Sequence, residues 1–174
     1  MITLYGFGRV PRPVMGLTRD LRVRWALEEI GLPYRVHGLD HPGGELESPA
    51  YARISCFHQV PVIDDEGFIV AESAAILLYL AEKAGKLIPS DFEGRTRVVQ
   101  WCFAALATVE LPLTQILNID LSGGDAHGRR PELVQYARRV LGNVERRLEG
   151  REWIACKDFT VADILLATVL REIR

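Results

Sequence analysis

The 174-residue chain has almost no net charge, few cysteines and no long apolar run. Its 21 basic and 23 acidic residues leave a formal charge of -2, which provides no electrostatic basis for binding nucleic acid or an anionic membrane. Small ligands, neutral or locally recognised, are the expected partners. Cys56, Cys102 and Cys156 are odd in number, far apart and never in a CxxC, so neither a disulfide framework nor a zinc site is indicated. They read as reduced thiols, mostly buried. His37, His41, His58 and His127 show no metal-ligand spacing either and read as loop or surface residues. No apolar run approaches the ~20 residues that cross a bilayer, and the opening MITLYGFGRV lacks the basic-then-apolar order of a signal peptide. The expectation is a cytoplasmic protein without metal, membrane or nucleic-acid partner.

What is present is a 48% hydrophobic, 25% charged chain, enough for one ordinary domain or two small ones with real cores. ITLY (2 to 5) reads as a strand halted by Gly6 and Gly8, and a loop with Pro11, Pro13 and Gly16 follows. From Arg19, Val23, Ala26, Leu27 and Ile30 recur at helical spacing until Gly31 and Pro33. YRVHGL (34 to 39) is a second strand, and a Pro/Gly loop with one irregular helical turn leads to VPVID, the turn Asp64-Asp65-Glu66-Gly67 and FIVA (68 to 71), a hairpin. Ser73, Ile76, Leu77, Leu80 and Ala84 then mark a helix closed by Gly85.

After this β-α-β, hairpin, α order the texture changes. GKLIPSDFEG (85 to 94) reads as a linker, and no strand signal follows it. The expected division is a domain over 1–84, a linker over 85–92 and a helical domain over 93–174. The segment 92 to 117 carries an apolar helical stripe that Pro112 should kink or break. DLSGGDAHG (120 to 128) is a loop, and Pro131 opens a helix ended by Gly150. The doubled arginines 129/130, 138/139 and 146/147 are interleaved with Glu132, Glu145 and Glu149 and read as a solvated helix face rather than a basic patch. In FTVADI, Thr160 and Asp163 form a capping box and Phe159 can staple onto Ile164, opening a helix, ILLATVLREI, that is apolar nearly all round.

Four stretches taken in order, RVRWALEEIGLPY (22 to 34), QVPVIDDEG (59 to 67), ES (72 to 73) and FTVADI, resemble the cytosolic glutathione S-transferases of the serine/threonine type. The resemblance covers the whole chain. It implies an α/β thioredoxin-like N-terminal domain (βαβ-ββα on a mixed four-stranded sheet) and an all-α C-terminal domain that forms much of the pocket for a hydrophobic electrophile. It also implies a cytoplasmic homodimer serving detoxification. Glutathione is then a co-substrate, with no covalently bound cofactor. Family members normally continue for several helical segments beyond the capped helix, so the resemblance implies a helical domain incomplete at its C-terminus, or a fragment.

The same resemblance assigns roles. A proline in the strand VPVID cannot donate to a ladder; a cis Val60-Pro61 bond would turn the Val60 backbone toward the ligand, with Gln59 and Pro61 beside it. The residue-level alternative is an edge-strand proline. By resemblance Ser73 grips the γ-glutamyl carboxylate of glutathione at a helix N-terminus and Glu72 faces its ammonium; alternatively Ser73 is only an N-cap. Thr18 is the candidate hydroxyl for the thiolate, with helix capping as its other reading, and Tyr5 is the tyrosine-type alternative. No cysteine lies near this position, which argues against a cysteine-based member. Where the family commonly has Asn-Pro-x-Gly, this chain has Ser55-Cys56-Phe57-His58. Glutathione-dependent isomerisation or reductive cleavage on the same site, and a non-catalytic binding or interaction module, are the competing functions.

Overall fold

In the computed structural model residues 1–125 and 128–171 are described. His127 and the end of the expected last helix, Glu172 to Arg174, lie outside them. The chain divides into two compact units, Met1–Lys86 and Leu87–Arg174.

The first unit runs β1 (Ile2–Phe7), α1 (Asp20–Ile30), β2 (Tyr34–Leu39), β3 (Val62–Asp65), β4 (Phe68–Ala71) and α2 (Ser73–Ala84). The strands form one sheet in the order β2-β1-β3-β4. β1 and β2 are parallel, which the crossover helix α1 permits, whereas β3 is antiparallel to both β1 and β4. β1 extends beyond ITLY through Gly6 to Phe7, because Gly6 pairs with Gly38 of β2. A Cβ on Gly6 would lie 2.9 Å from an Asp20 carboxylate oxygen, so glycine there lets the start of α1 sit against the strand. By strand alternation the face carrying Ile2, Leu4 and Gly6 is therefore the helix side. Leu4, Ile63, Val23, Leu27, Ile76, Leu77 and Leu80 are fully buried, each large side chain contributing about 1.5–3 kcal/mol. On the other face Leu39, Leu46, Tyr51 and Val62 form a second cluster, flanked by Tyr5, Phe7, Ile54 and Val60. The loop that closes it holds two 3-10 turns, Glu45–Glu47 and Tyr51–Arg53, in place of the single irregular turn expected.

The hairpin turn behaves as its residues require. Glu66 and Gly67 both have positive φ, 56° and 96°, the two-residue turn whose twist matches the flanking strands, and Asp64 Oδ1 accepts the Gly67 N–H at 2.7 Å. At its base Asp65 accepts hydrogen bonds from Lys83 and from the Tyr79 hydroxyl on α2, which hold its carboxyl below the usual carboxylate range, Lys83 contributing most.

The second unit contains α3 (Phe92–Phe103), α4 (Leu111–Ser122), α5 (Arg130–Leu148) and α6 (Val161–Leu170). Pro112 does not break the first run. A π-helical stretch, Ala104–Glu110, joins α3 to α4, with Pro112 in the first turn of α4; the wider i→i+5 pattern accommodates the missing donor that would interrupt an ordinary helix. Phe92–Ser122 is thus a continuous helical run of 31 residues, long and apolar enough to cross a membrane by length and composition, contrary to the residue-level expectation. Core helices share that property, and Val98, Cys102, Ala105, Val109 and Leu113 along this run are buried. α6 begins with the expected capping box: Asp163 Oδ2 accepts the Thr160 N–H at 2.8 Å, and its Oδ1 accepts the Ile154 N–H at 2.8 Å. Phe159 packs on Trp153, ring centroids 4.9 Å apart. Of the cysteines Cys102 is buried, Cys156 half-buried and Cys56 exposed, so the expectation of mostly buried thiols fails at Cys56. Among the described residues no group of His, Cys, Asp and Glu could hold a metal ion.

Because the Asp65 carboxyl is lowered in the folded state, its contribution to stability is present above the unfolded carboxylate pKa of ~3.9 and is lost as pH falls through the folded value. Lys83→Met is expected to raise the midpoint of acid unfolding followed by circular dichroism. An unchanged midpoint would mean that the ion pair is energetically silent.

Candidate functional site

Strand register places the expected site residues at one end of the first unit's sheet. Val62 pairs with Ala71 and with Tyr5, so Val60-Pro61, just before β3, and Glu72-Ser73, just after β4, lie at the open end of the hairpin. β1 reaches the same end, where Gly6 meets Asp20 at the start of α1. Thr18 precedes that helix by two residues.

The Val60-Pro61 peptide bond is cis, as the resemblance implies. The residue before it, Gln59, has both backbone groups occupied: its N–H donates to Ser55 Oγ at 3.0 Å, and its carbonyl accepts from Tyr51 Oη at 2.8 Å and Ser55 Oγ at 3.0 Å. Burial pushes the Tyr51 phenol up to about 12, keeping it a donor across the physiological range. The exposed Gln59 side chain is what remains for a ligand. Val60 differs: its N–H and C=O take part in no hydrogen bond among the described residues. A half-buried segment with an unused donor and acceptor is suited to pair with another backbone.

Glu72 holds a backbone φ of 68° and ψ of 118°, a region that L-residues avoid and that clusters at functional sites. Ser73 follows as the first residue of α2, so it is not the N-cap; it is 4% exposed. Its Oγ accepts a hydrogen bond from Arg22 Nη1 at 3.2 Å. With an acceptor site so occupied, the hydroxyl proton is available to donate outward. The N–H groups of the first turn of α2 have no intrahelical partners and sit at the positive end of the helix dipole. A carboxylate fits there.

Arg22 was not singled out from sequence, although it is 2% exposed and links α1 to α2. A signal existed: Arg22 and Ala26 are one turn apart on a helix whose buried stripe includes Ala26, and a cation on that stripe needs a buried partner. Thr18 lies one turn ahead of Arg22. It is half-buried, and its carbonyl accepts the Leu21 N–H at 3.2 Å. The N-cap of α1 is Arg19, with no side-chain cap, so capping does not use the Thr18 hydroxyl. Tyr5 projects to the opposite face of the sheet, tilted against His37 and Tyr51 at centroid distances of 5.1 and 6.2 Å; that placement separates it from the α1 side. His58 (φ 54°) turns its ring to the Leu46 carbonyl, Nδ1 at 2.7 Å, while Cys56 and Phe57 are exposed in the same loop.

A family profile, the glutathione S-transferase N-terminal domain, matches residues 21–83. Glutathione S-transferase D7 of Drosophila melanogaster is 30% identical over 173 residues, covering 97% of this chain and 73% of the relative. The chain belongs to the cytosolic glutathione S-transferase family. It is therefore an enzyme of the glutathione transferase kind. The disulfide-bond oxidoreductase YfcG of Escherichia coli is 29% identical over 153 residues, 79% of this chain and 68% of the relative. The crystal structure of a glutathione transferase from Pseudomonas putida with one glutathione disulfide bound per subunit superimposes with a TM-score of 0.85 at 28% identity, covering 98% of this chain and 74% of that one. The thioredoxin-like and helical architecture of this glutathione S-transferase thus agrees with the resemblance noted in its sequence.

The Tyr51 and Ser55 hydroxyls share one acceptor. Tyr51→Phe and Ser55→Ala are each expected to cost about 0.5–1.5 kcal/mol, and the double variant more than their sum because the Gln59 carbonyl is then left without a donor. Urea unfolding of the four proteins measures this; strict additivity would contradict the shared role.

Proposed function

We propose that this glutathione S-transferase conjugates the glutathione thiolate to a hydrophobic electrophile, holding glutathione on the Met1–Lys86 unit. The observation that carries the reading is the unpaired Val60 backbone at the same sheet end as Ser73 and the start of α2. Glutathione is a short peptide, and its backbone pairs with the Val60 N–H and C=O while Pro61 and the Gln59 side chain flank it. The γ-glutamyl carboxylate takes the Ser73 hydroxyl and the free N–H groups of α2, and Glu72 faces the ammonium.

Thr18 activates the sulfur. The thiol is a poor nucleophile and its proton must leave to solvent, so the protein has to stabilise the anion. Lowering the thiol pKa by ~2 units requires about 2.7 kcal/mol. A hydroxyl donating to a thiolate supplies ~1.5–3 kcal/mol and the nearby end of α1 a further ~0.3–1. The thiolate lone pair then forms the C–S bond to the electrophilic carbon, and the leaving group departs with its electron pair or the adduct gains a proton.

A second reading, glutathione-dependent reductive cleavage, draws support from the likeness to a disulfide-bond oxidoreductase and to a neighbour with glutathione disulfide bound. It uses the same thiolate against a sulfur electrophile. The family reading further carries a homodimer acting in the cytoplasm in detoxification.

Thr18→Ala is expected to lower kcat for conjugation by about 10- to 100-fold with glutathione KM nearly unchanged, and Thr18→Ser to retain activity; a wild-type rate in Thr18→Ala would remove the threonine from the mechanism. Ser73→Ala is expected to weaken glutathione binding by roughly 1–3 kcal/mol in calorimetry, and wild-type affinity would leave Ser73 a structural residue. Turnover of disulfides but of no carbon electrophile would replace conjugation by the second reading.

A further inference from the structure

We infer that the helical unit Leu87–Arg174 carries a second, separate binding site, one for a small polyphosphate anion such as a nucleoside diphosphate. A cleft of about 540 Å³ opens there, within the range of small-molecule sites. Its wall is charged. Arg97, Arg147, Arg151 and Lys157 line it against two carboxylates, Asp91 and Asp158, and the cations come from three separate segments: the middle of α3, the end of α5 and the loop before α6.

The arginine pairs read from sequence as a solvated face do not all behave alike. Arg147 is half-buried; its Nε donates to the Ile154 carbonyl at 3.2 Å, and its guanidinium lies 5.7 Å from the Trp101 ring centroid. Two contacts orient it beside the cleft. Arg97 keeps one nitrogen on Glu93 at 2.9 Å. Arg151 and Lys157 use their side chains in no hydrogen bond or ion pair among the described residues. Of the acids, Asp91 is engaged as the cap of α3, accepting the Gly94 N–H at 2.8 Å.

Guanidinium forks and an ammonium converging from several directions match the oxygens of phosphate groups. The cleft is larger than one phosphate needs, so a ligand with two or more phosphates, with or without an attached nucleoside, fits its size and charge. Nothing in the glutathione mechanism uses these residues.

The test is calorimetric titration of the full chain with inorganic pyrophosphate and with ADP, each repeated with saturating glutathione. Saturable binding that persists with glutathione present is expected. The double variant Arg151→Glu with Lys157→Glu should weaken it at least tenfold, with glutathione turnover and melting temperature unchanged, whereas the charge-matched control, Arg138→Glu with Arg139→Glu on the exposed surface of α5, should not. Equal affinities for the two anions would assign the site to phosphate groups alone, and tighter ADP binding to a nucleoside polyphosphate. The inference is overturned if neither anion binds saturably, if glutathione competes for the site, or if the control weakens binding as much as the double variant.

Discussion

A buried hydrogen bond, from Arg22 to the Ser73 hydroxyl, organises the Met1–Lys86 unit. It joins the helix that begins beside Thr18 to the helix whose first turn is free to take a carboxylate. A guanidinium that is 2% exposed needs buried acceptors for its donors, and the packing of the two helices makes Ser73 one of them. The consequence is chemical as well as structural. Ser73 accepts from the arginine, and its own proton points elsewhere. Glu72 immediately before it is held in a strained backbone conformation, which the surrounding sheet and helix must sustain.

The loop before the cis peptide bond solves a complementary problem. Tyr51 and Ser55 take up the polar groups of Gln59, leaving those of Val60 unused at the end of the strand. One residue is tied down and its neighbour is available. This division determines where an incoming peptide can pair, and it is achieved here with Ser55-Cys56-Phe57-His58 rather than the family's usual Asn-Pro-x-Gly. His58 contributes by holding the Leu46 carbonyl of the adjoining 3-10 turn.

Local signals were legible in the sequence. The Asp-Asp-Glu-Gly hairpin turn, the stop at Gly31 and the Thr160/Asp163 capping box depend on residues within a few positions of one another, and each forms where the pattern places it. What sequence reading missed is long-range or alternative in register. A partner of Arg22 lies 51 residues away, Phe159 packs on Trp153, and Pro112 is absorbed by a π-helical stretch that no local propensity signals. The arginine pairs of α5 likewise looked uniform until packing separated Arg147, turned onto Trp101, from its exposed neighbours. The site residues came from a resemblance; packing shows that the Thr18 hydroxyl is not spent on capping, that Ser73 is not the N-cap and that Tyr5 lies on the other side of the sheet.

The central claim is that this site turns the glutathione thiol into a thiolate near neutral pH. Ultraviolet absorbance of the bound thiolate, followed across pH in the wild-type enzyme saturated with glutathione, measures this directly. The account predicts a midpoint about 2 units below that of free glutathione, a shift worth roughly 2.7 kcal/mol. A midpoint equal to that of the free thiol, with glutathione bound, would contradict it.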